Sequence, residues 1–186
     1  MRIIGGARRG LKLAEVGEGD AAAHLRPTSD RVREAIFNLL INAHGNPVAG
    51  ARVLDLFAGT GALGLEALSR GAAEAVFVDD GTKALALIKA NIAKLRVEGV
   101  TRALRADAAR LGPNPFGPFG LVFLDPPYGM GLGEAALRAA RNGGWLAPEA
   151  MAVWEEGVDP TLPEGFAQLD RRKYGNTVIT LLRAPA

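Results

Sequence analysis

There is no cysteine anywhere in the 186 residues, which excludes disulfides and thiolate metal centres. Histidine is almost as scarce. His24 and His44 are the only two, too few for a histidine-built zinc site, so no metal is expected. No run of about 18 apolar residues occurs, so no membrane-spanning helix is expected. The opening Met1-Arg2-Ile3-Ile4-Gly5-Gly6 lacks the apolar core and cleavage site of a secretory leader, and the cytoplasm is the expected compartment. A strong excess of one charge is missing too. Twenty-two Lys and Arg against 20 Asp and Glu leave a formal charge of +2, so only the distribution of charge can point to a partner. Internal repeats and low-complexity tracts are absent. What remains is a soluble globular chain, long enough for one sizeable domain plus an appendage.

The chain is organised around Val53-Leu54-Asp55-Leu56-Phe57-Ala58-Gly59-Thr60-Gly61-Ala62-Leu63-Gly64. An apolar run over 53–57 predicts a buried strand, two glycines predict a tight turn, and Leu63, Leu65, Ala67 and Leu68 predict a helix near 62–70. Strand, glycine turn and helix put bare backbone amides and a helix N-terminus against a ligand. Alone, the glycine pattern fits an ordinary tight turn equally well.

Residues 1–33 carry Arg2, Arg8, Arg9, Lys12, Arg26, Arg31 and Arg33 against four acids. Ile3-Ile4 and Leu11-Lys12-Leu13, separated by glycines and arginines, predict a hairpin with Arg8, Arg9 and Lys12 projecting. Such a basic hairpin serves either as a phosphate contact for nucleic acid or as a solvated edge that resists aggregation. Arg26-Pro27-Thr28-Ser29-Asp30 predicts a helix start, and Val32, Ile36, Leu39, Leu40 and Ala43 share one face. Gly45, Pro47 and Gly50 end that helix, and a boundary is placed here between residues 1–50 and a main domain over 51–186.

The main domain alternates. Strands are expected over 53–57, 75–78, 101–105, 121–124 and 151–154, with helices near 62–70, 82–96 and 133–142 and two strands between Phe166 and Leu182. Alternation with apolar strands implies an α/β fold with a doubly wound, mostly parallel sheet, and the terminal pair adds an antiparallel hairpin. Asp55, Asp79 and Asp107 then fall at or just after successive strand ends, where open α/β sheets bind ligands. Asp79 suits the two hydroxyls of a ribose, Asp107 an adenine amino group, and Asp55 the glycine loop and a ligand ammonium. An adenosine-containing ligand follows. Asp55 beside the glycines suits the cationic S-adenosylmethionine better than the pyrophosphate of a nicotinamide cofactor.

The fourth strand ends in Asp125-Pro126-Pro127-Tyr128. An exocyclic base amine is a poor nucleophile because its lone pair is delocalised into the ring. The Asp125 carboxylate and the Pro126 carbonyl can accept its hydrogens and aim the lone pair, proline presets the backbone, and Tyr128 offers a stacking face to a flipped base.

These motifs resemble the class I S-adenosylmethionine-dependent methyltransferases that act on base amines. More narrowly, Arg2-Ile3-Ile4-Gly5-Gly6, the segment Arg26-Pro27-Thr28-Ser29-Asp30-Arg31-Val32-Arg33-Glu34 and the stretch from Phe57 to Gly71 resemble the RsmD family. The resemblance implies a Rossmann-like methyltransferase fold, with a mostly parallel seven-stranded sheet, a terminal antiparallel hairpin and a small N-terminal hairpin and helix. It implies methylation of the 2-amino group of one guanine in 16S ribosomal RNA, free or in the assembling small subunit, by a monomer. Carried over by position, Asp55, Gly59 and Gly61 contact the methionine end of the cofactor, with Phe57 also among the cofactor contacts. Asp79 binds ribose, with Asp80 its neighbouring rival, and Asp107 lies by adenine. Asp125, Pro126 and Tyr128 position guanine, and Arg8, Arg9, Lys12, Arg26, Arg31 and Arg33 face RNA. Three rivals stay open: an adenine amino methyltransferase on DNA or another RNA, a nicotinamide-dependent dehydrogenase, and a silent RNA-binding module.

Overall fold

The computed structural model describes residues 1–15 and 29–186. Five parallel strands occur in chain order as β1 (Arg52–Leu56), β2 (Glu74–Asp79), β3 (Thr101–Arg105), β4 (Phe119–Leu124) and β5 (Leu146–Glu156). The closing hairpin is β6 (Ala167–Tyr174) and β7 (Thr177–Arg183). They form one seven-stranded sheet in the order β3-β2-β1-β4-β5-β7-β6, with β7 antiparallel to both neighbours. The sheet is therefore the doubly wound, mostly parallel one the alternation predicts. The order reverses between β1 and β4, and a crevice at such a reversal is where open α/β sheets bind ligands.

The helices are α1 (Asp30–Ala43), α2 (Ala62–Ser69), α3 (Thr82–Leu95) and α4 (Leu132–Asn142). Helix α1 starts where Ser29 accepts a hydrogen bond from the Val32 N–H, the capping its sequence predicts. Apolar residues of α1, α2 and α3 join Val53, Phe77, Leu121 and Phe123 in one cluster on one face of the sheet. Ala136, Leu137 and Ala140 of α4 join Leu54, Val76, Val122 and Trp154 in a second cluster on the other face. The buried strands read as continuous apolar runs because both faces are covered.

The described apolar residues before β1 pack into the core of the sheet. Ile3, Leu13, Ile36, Phe37 and Leu40 lie in the same cluster as the sheet and α2, and the Phe37 and Phe123 rings stand 5.6 Å apart. The amino-terminal arm is a hairpin with an Arg2–Lys12 bridge, with Ile3 N–H bonded to Leu11 O at 2.9 Å and a 3-10 turn, Gly6–Arg8, at its tip. It is riveted to α2. The Glu66 carboxylate accepts from the Ile4 and Gly5 N–H groups, both at 2.8 Å, while Ser69 accepts from the Arg8 N–H at 2.9 Å and donates to Gly5 O at 2.6 Å. Gly6 has φ +75°, and a Cβ there would sit 1.8 Å from Ser69 O, so only glycine allows this approach.

Candidate active site

Successive strand ends supply the site. Strand β1 delivers Asp55 as its penultimate residue, and the chain then turns through Phe57 at φ +58°, Gly59 at +58° and Gly61 at +77°. Positive φ costs a non-glycine residue of order 1 kcal/mol or more, so the Phe57 conformation is a local strain at the mouth of the loop. Gly61, at the N-cap of α2, has no side chain to cap the helix, and the first-turn N–H of Gly64 is taken by Asp55 instead. Asp55 is 1% exposed, and its Oδ2 accepts from the Gly64 N–H at 2.9 Å. Gly64 is a packing necessity. A Cβ there would come within 2.5 Å of the Phe77 ring and 3.1 Å of Asp55 Oδ2. Burial pushes the Asp55 carboxyl up to about 8. The Gly64 bond opposes that rise and the charge of Asp79 adds to it.

Asp79 closes β2, beside the loop. Its Oδ2 accepts from Gly59 N–H at 2.9 Å and its Oδ1 from Gly81 N–H at 2.8 Å. The carboxylate thereby fixes the glycine turn from the side. Each oxygen keeps further acceptor capacity, and the residue is half-buried. Burial raises its pKa, the two N–H bonds lower it, and neighbouring Asp80 raises it. Asp80 is exposed. Asp107 is exposed too, capping a 3-10 turn through Ala109 N–H at 2.9 Å and lying 3.6 Å from Arg110.

On the other side of the reversal, Asp125 follows β4 directly, its N–H reaching Leu56 O of β1 at 3.4 Å. Asp125 is half-buried and Pro126 buried. The Tyr128 hydroxyl donates to Glu155 Oε1 at 2.9 Å and lies 3.1 Å from Thr177 Oγ1. Burial, as the largest cause, lifts the phenol well above its ordinary range. The Thr177 bond lowers it, and the charges of Glu155 and Asp125 lift it further, so the phenol stays protonated and donates. Glu156 Oε1 accepts from Gly129 N–H at 3.0 Å and from Gly157 N–H at 2.8 Å. Glu155 and Glu156 are 5% and 4% exposed, and together they fasten the loop after Tyr128 to the end of β5. Neither glutamate was expected in the site. An acidic pair ending the apolar run Ala150–Trp154 at the edge that carries Asp55 and Asp79 is the signal that reveals them.

Of the basic residues, Arg8, Arg9, Lys12 and Arg31 are exposed, although the Arg8 Nε is bonded to Leu95 O at 3.1 Å. Arg26 lies outside the described residues. The expectation that Arg33 faces RNA is wrong. It is 0% exposed, bonded to Arg2 O and to Asp30 Oδ1 at 2.9 Å, with Glu66 3.7 Å away. Arg33, Ile36, Phe37 and Leu40 follow the spacing i, i+3, i+4, i+7, so the stripe that buries the apolar residues buries the arginine as well. Burial lowers its pKa, and Glu66 and Asp30 oppose that change. Among the described residues no group of three or more His, Asp or Glu is placed to hold a metal ion.

The family model described as conserved hypothetical protein 95 matches residues 1–183. Ribosomal RNA small subunit methyltransferase D of Escherichia coli K12 is 41% identical over 182 residues, covering 96% of this chain and 86% of that protein. The chain belongs to the RsmD family. Within RsmD proteins, the Haemophilus influenzae ribosomal RNA small subunit methyltransferase D is 35% identical over 182 residues, 94% of this chain and 89% of its own. The solved structure of Escherichia coli yhhF superposes with a TM-score of 0.82 at 37% identity, over 100% of this chain and 98% of that one. The RsmD-family chain thus shares the Rossmann-like fold of that methyltransferase structure.

Proposed function

We propose that this chain transfers a methyl group from S-adenosylmethionine to the exocyclic 2-amino group of a guanine in 16S ribosomal RNA, free or in the assembling small subunit. The observation that carries this reading is the pairing across the reversal point: the glycine turn held by Asp55 and Asp79 on one side, and Asp125-Pro126-Pro127-Tyr128 on the other, with Asp125 N–H bonded to Leu56 O. The residues fit the cofactor. Asp79 keeps acceptor capacity for two ribose hydroxyls, the glycine turn leading into α2 offers backbone amides, and Asp55 supplies a carboxylate beside the cationic methionine end. When bound, S-adenosylmethionine supplies a methyl group on a positively charged sulfur.

The protein's part is alignment. Asp125 accepts a hydrogen bond from the amino N–H and turns the nitrogen lone pair toward the methyl carbon. It also stabilises the positive charge that grows on nitrogen as the N–C bond forms. Tyr128 is a fixed wall, because its phenol is tied at two points, and a flipped base stacks on its ring. Holding both reactants in this order supplies most of the acceleration. The product nitrogen sheds its proton to water without a strong base. The exposed Arg8, Arg9 and Lys12 on the arm and Arg31 at the start of α1 give the phosphate contacts, and the protein acts as a monomer.

Methyl transfer to unmodified small-subunit RNA and to subunits, followed by nucleoside mass spectrometry, tests the reading. N2-methylguanosine is expected, and Asp125→Ala should lose roughly a hundredfold or more of the rate with cofactor affinity retained. N6-methyladenine, or incorporation into duplex DNA, would replace guanine by the adenine alternative.

A further inference from the structure

The arm that carries Arg8, Arg9 and Lys12 lies on α2 and α3, which pack on β1, β2 and β3. Asp125 stands at β4, and the sheet continues beyond it through β5, β7 and β6. We propose that this far wall is a second RNA-contacting surface, where Met130 and Val158 pack on the base beside the target and Lys173 meets its phosphate. The proposal rests on the guanine methyltransferase reading and adds to it where the neighbouring nucleotide lies.

Met130 and Val158 are 66% and 62% exposed, more than any other large apolar side chain among the described residues. Single exposed apolar residues are ordinary, but these two are not scattered. Each follows a glycine whose N–H donates to the same oxygen, Glu156 Oε1, so the two loop tips are drawn together. Both also border Tyr128. Met130 is two residues beyond it, and a Cβ on Gly157 would sit 2.7 Å from its ring. The result is an apolar lip on a rigid base, next to the ring assigned to the flipped guanine. Extrusion of one nucleotide leaves its neighbour unstacked on one side, and an apolar side chain is the surface such a base covers.

The cation is placed by register. Glu156 pairs with Val178, and Val178 with Lys173. Paired residues share a face, and neighbouring strands are about 4.8 Å apart, so the Lys173 backbone lies roughly 10 Å along the sheet from Glu156 on the face where Glu156 holds the lip. Arg171 shares that face but is ion-paired with Asp159, and Arg172, on the opposite face, is ion-paired with Asp170. Lys173 is exposed, and among the described residues no ion pair holds it. An apolar platform followed by a cation one nucleotide away is the combination that single-stranded RNA requires.

The test uses the full chain, in vitro transcribed small-subunit RNA, and the variants Met130→Ser/Val158→Ser, Met130→Leu and Lys173→Ala, measured for methyl transfer and for RNA binding across a salt series. The double variant should raise KM for RNA about tenfold, more than it lowers kcat, with an unaltered salt slope, because no charge is removed. Met130→Leu should stay close to the wild type. Lys173→Ala should flatten the log–log salt slope by about 0.7, one phosphate's worth. Affinity for S-adenosylhomocysteine should hold in all three. Unchanged KM in the double variant, or an unchanged slope in Lys173→Ala, overturns the second surface while wild-type guanine methylation still stands. Wild-type protein that puts no methyl on guanine in this RNA overturns both.

Discussion

Asp55 should act as a proton-linked sensor of the cofactor. The carboxyl is 1% exposed and burial places its pKa at about 8, against 3.8 for a free side chain. At pH 7 a group with that pKa is about 90% protonated. A cationic ligand arriving beside it favours the carboxylate, so binding should expel close to one proton at pH 7 and almost none at pH 9. Titration calorimetry with S-adenosylmethionine in two buffers of different ionisation enthalpy measures that release. The ligand's own amine, an α-amino group of pKa about 8, also exchanges protons, so the quantity of interest is the difference between wild type and Asp55→Asn. Stability has the matching sign. The unfolded chain gives up the Asp55 proton near 3.8 and the folded chain only near 8, so raising the pH between those values pulls toward unfolding. The penalty is complete above 8 and amounts to at most about 6 kcal/mol at 1.4 kcal/mol per unit. Asp55→Asn should remove the Asp55 share of the pH slope from urea unfolding, leaving that of Asp79, while its amide oxygen still accepts from Gly64. Equal proton release by wild type and variant would refute the reasoning, because Asp55 would then be ionised already or remote from the ligand.

The other predictions concern the anchors. Tyr128→Phe keeps the stacking face but loses the bonds to Glu155 and Thr177. Transfer should drop about tenfold with cofactor affinity retained, and wild-type kinetics would show that the ring is held by packing alone. Asp79→Ala should weaken S-adenosylhomocysteine binding at least about tenfold, since ribose acceptors and the clasp on Gly59 both go, whereas Asp80→Ala should change it less than about twofold. The reverse ranking in calorimetry would assign ribose to Asp80. Glu66→Ala strips the acceptor from Ile4, Gly5 and Arg70 and the nearby charge from buried Arg33. A loss of about 3–5 kcal/mol in urea unfolding is expected, and under about 1 kcal/mol would deny it a central part.

The centre of the sheet was legible because β1, β2 and β4 are short, mostly apolar runs between glycines, prolines and acids, and such local signals survive without tertiary context. The position of Asp79 was legible for the same reason, at the end of such a run. Buried polar residues were not. Glu66 binds the Ile4 N–H from 62 residues away, and Glu155 holds Tyr128 across 27, so neither partner is visible in a local window. Tyr128 was read for its ring, and the tether at its hydroxyl emerges only when β5 and β7 stand side by side. Arg33 was misplaced because its charge outweighed its spacing, although the stripe with Ile36, Phe37 and Leu40 argued for the interior.

The rivets between the arm and α2 bear on how this protein can be taken apart. A fragment starting at residue 51 would keep every strand, yet it would strip the cover from Glu66, Ser69 and Asn91, whose partners Ile4, Gly5, Arg8 and Ala14 belong to the arm. The same α2 begins at the glycine turn, so loosening its far end disturbs that turn. Grafting a foreign arm onto this scaffold therefore means transplanting α2 in the same exchange. The arm and the glycine turn are inherited as one unit.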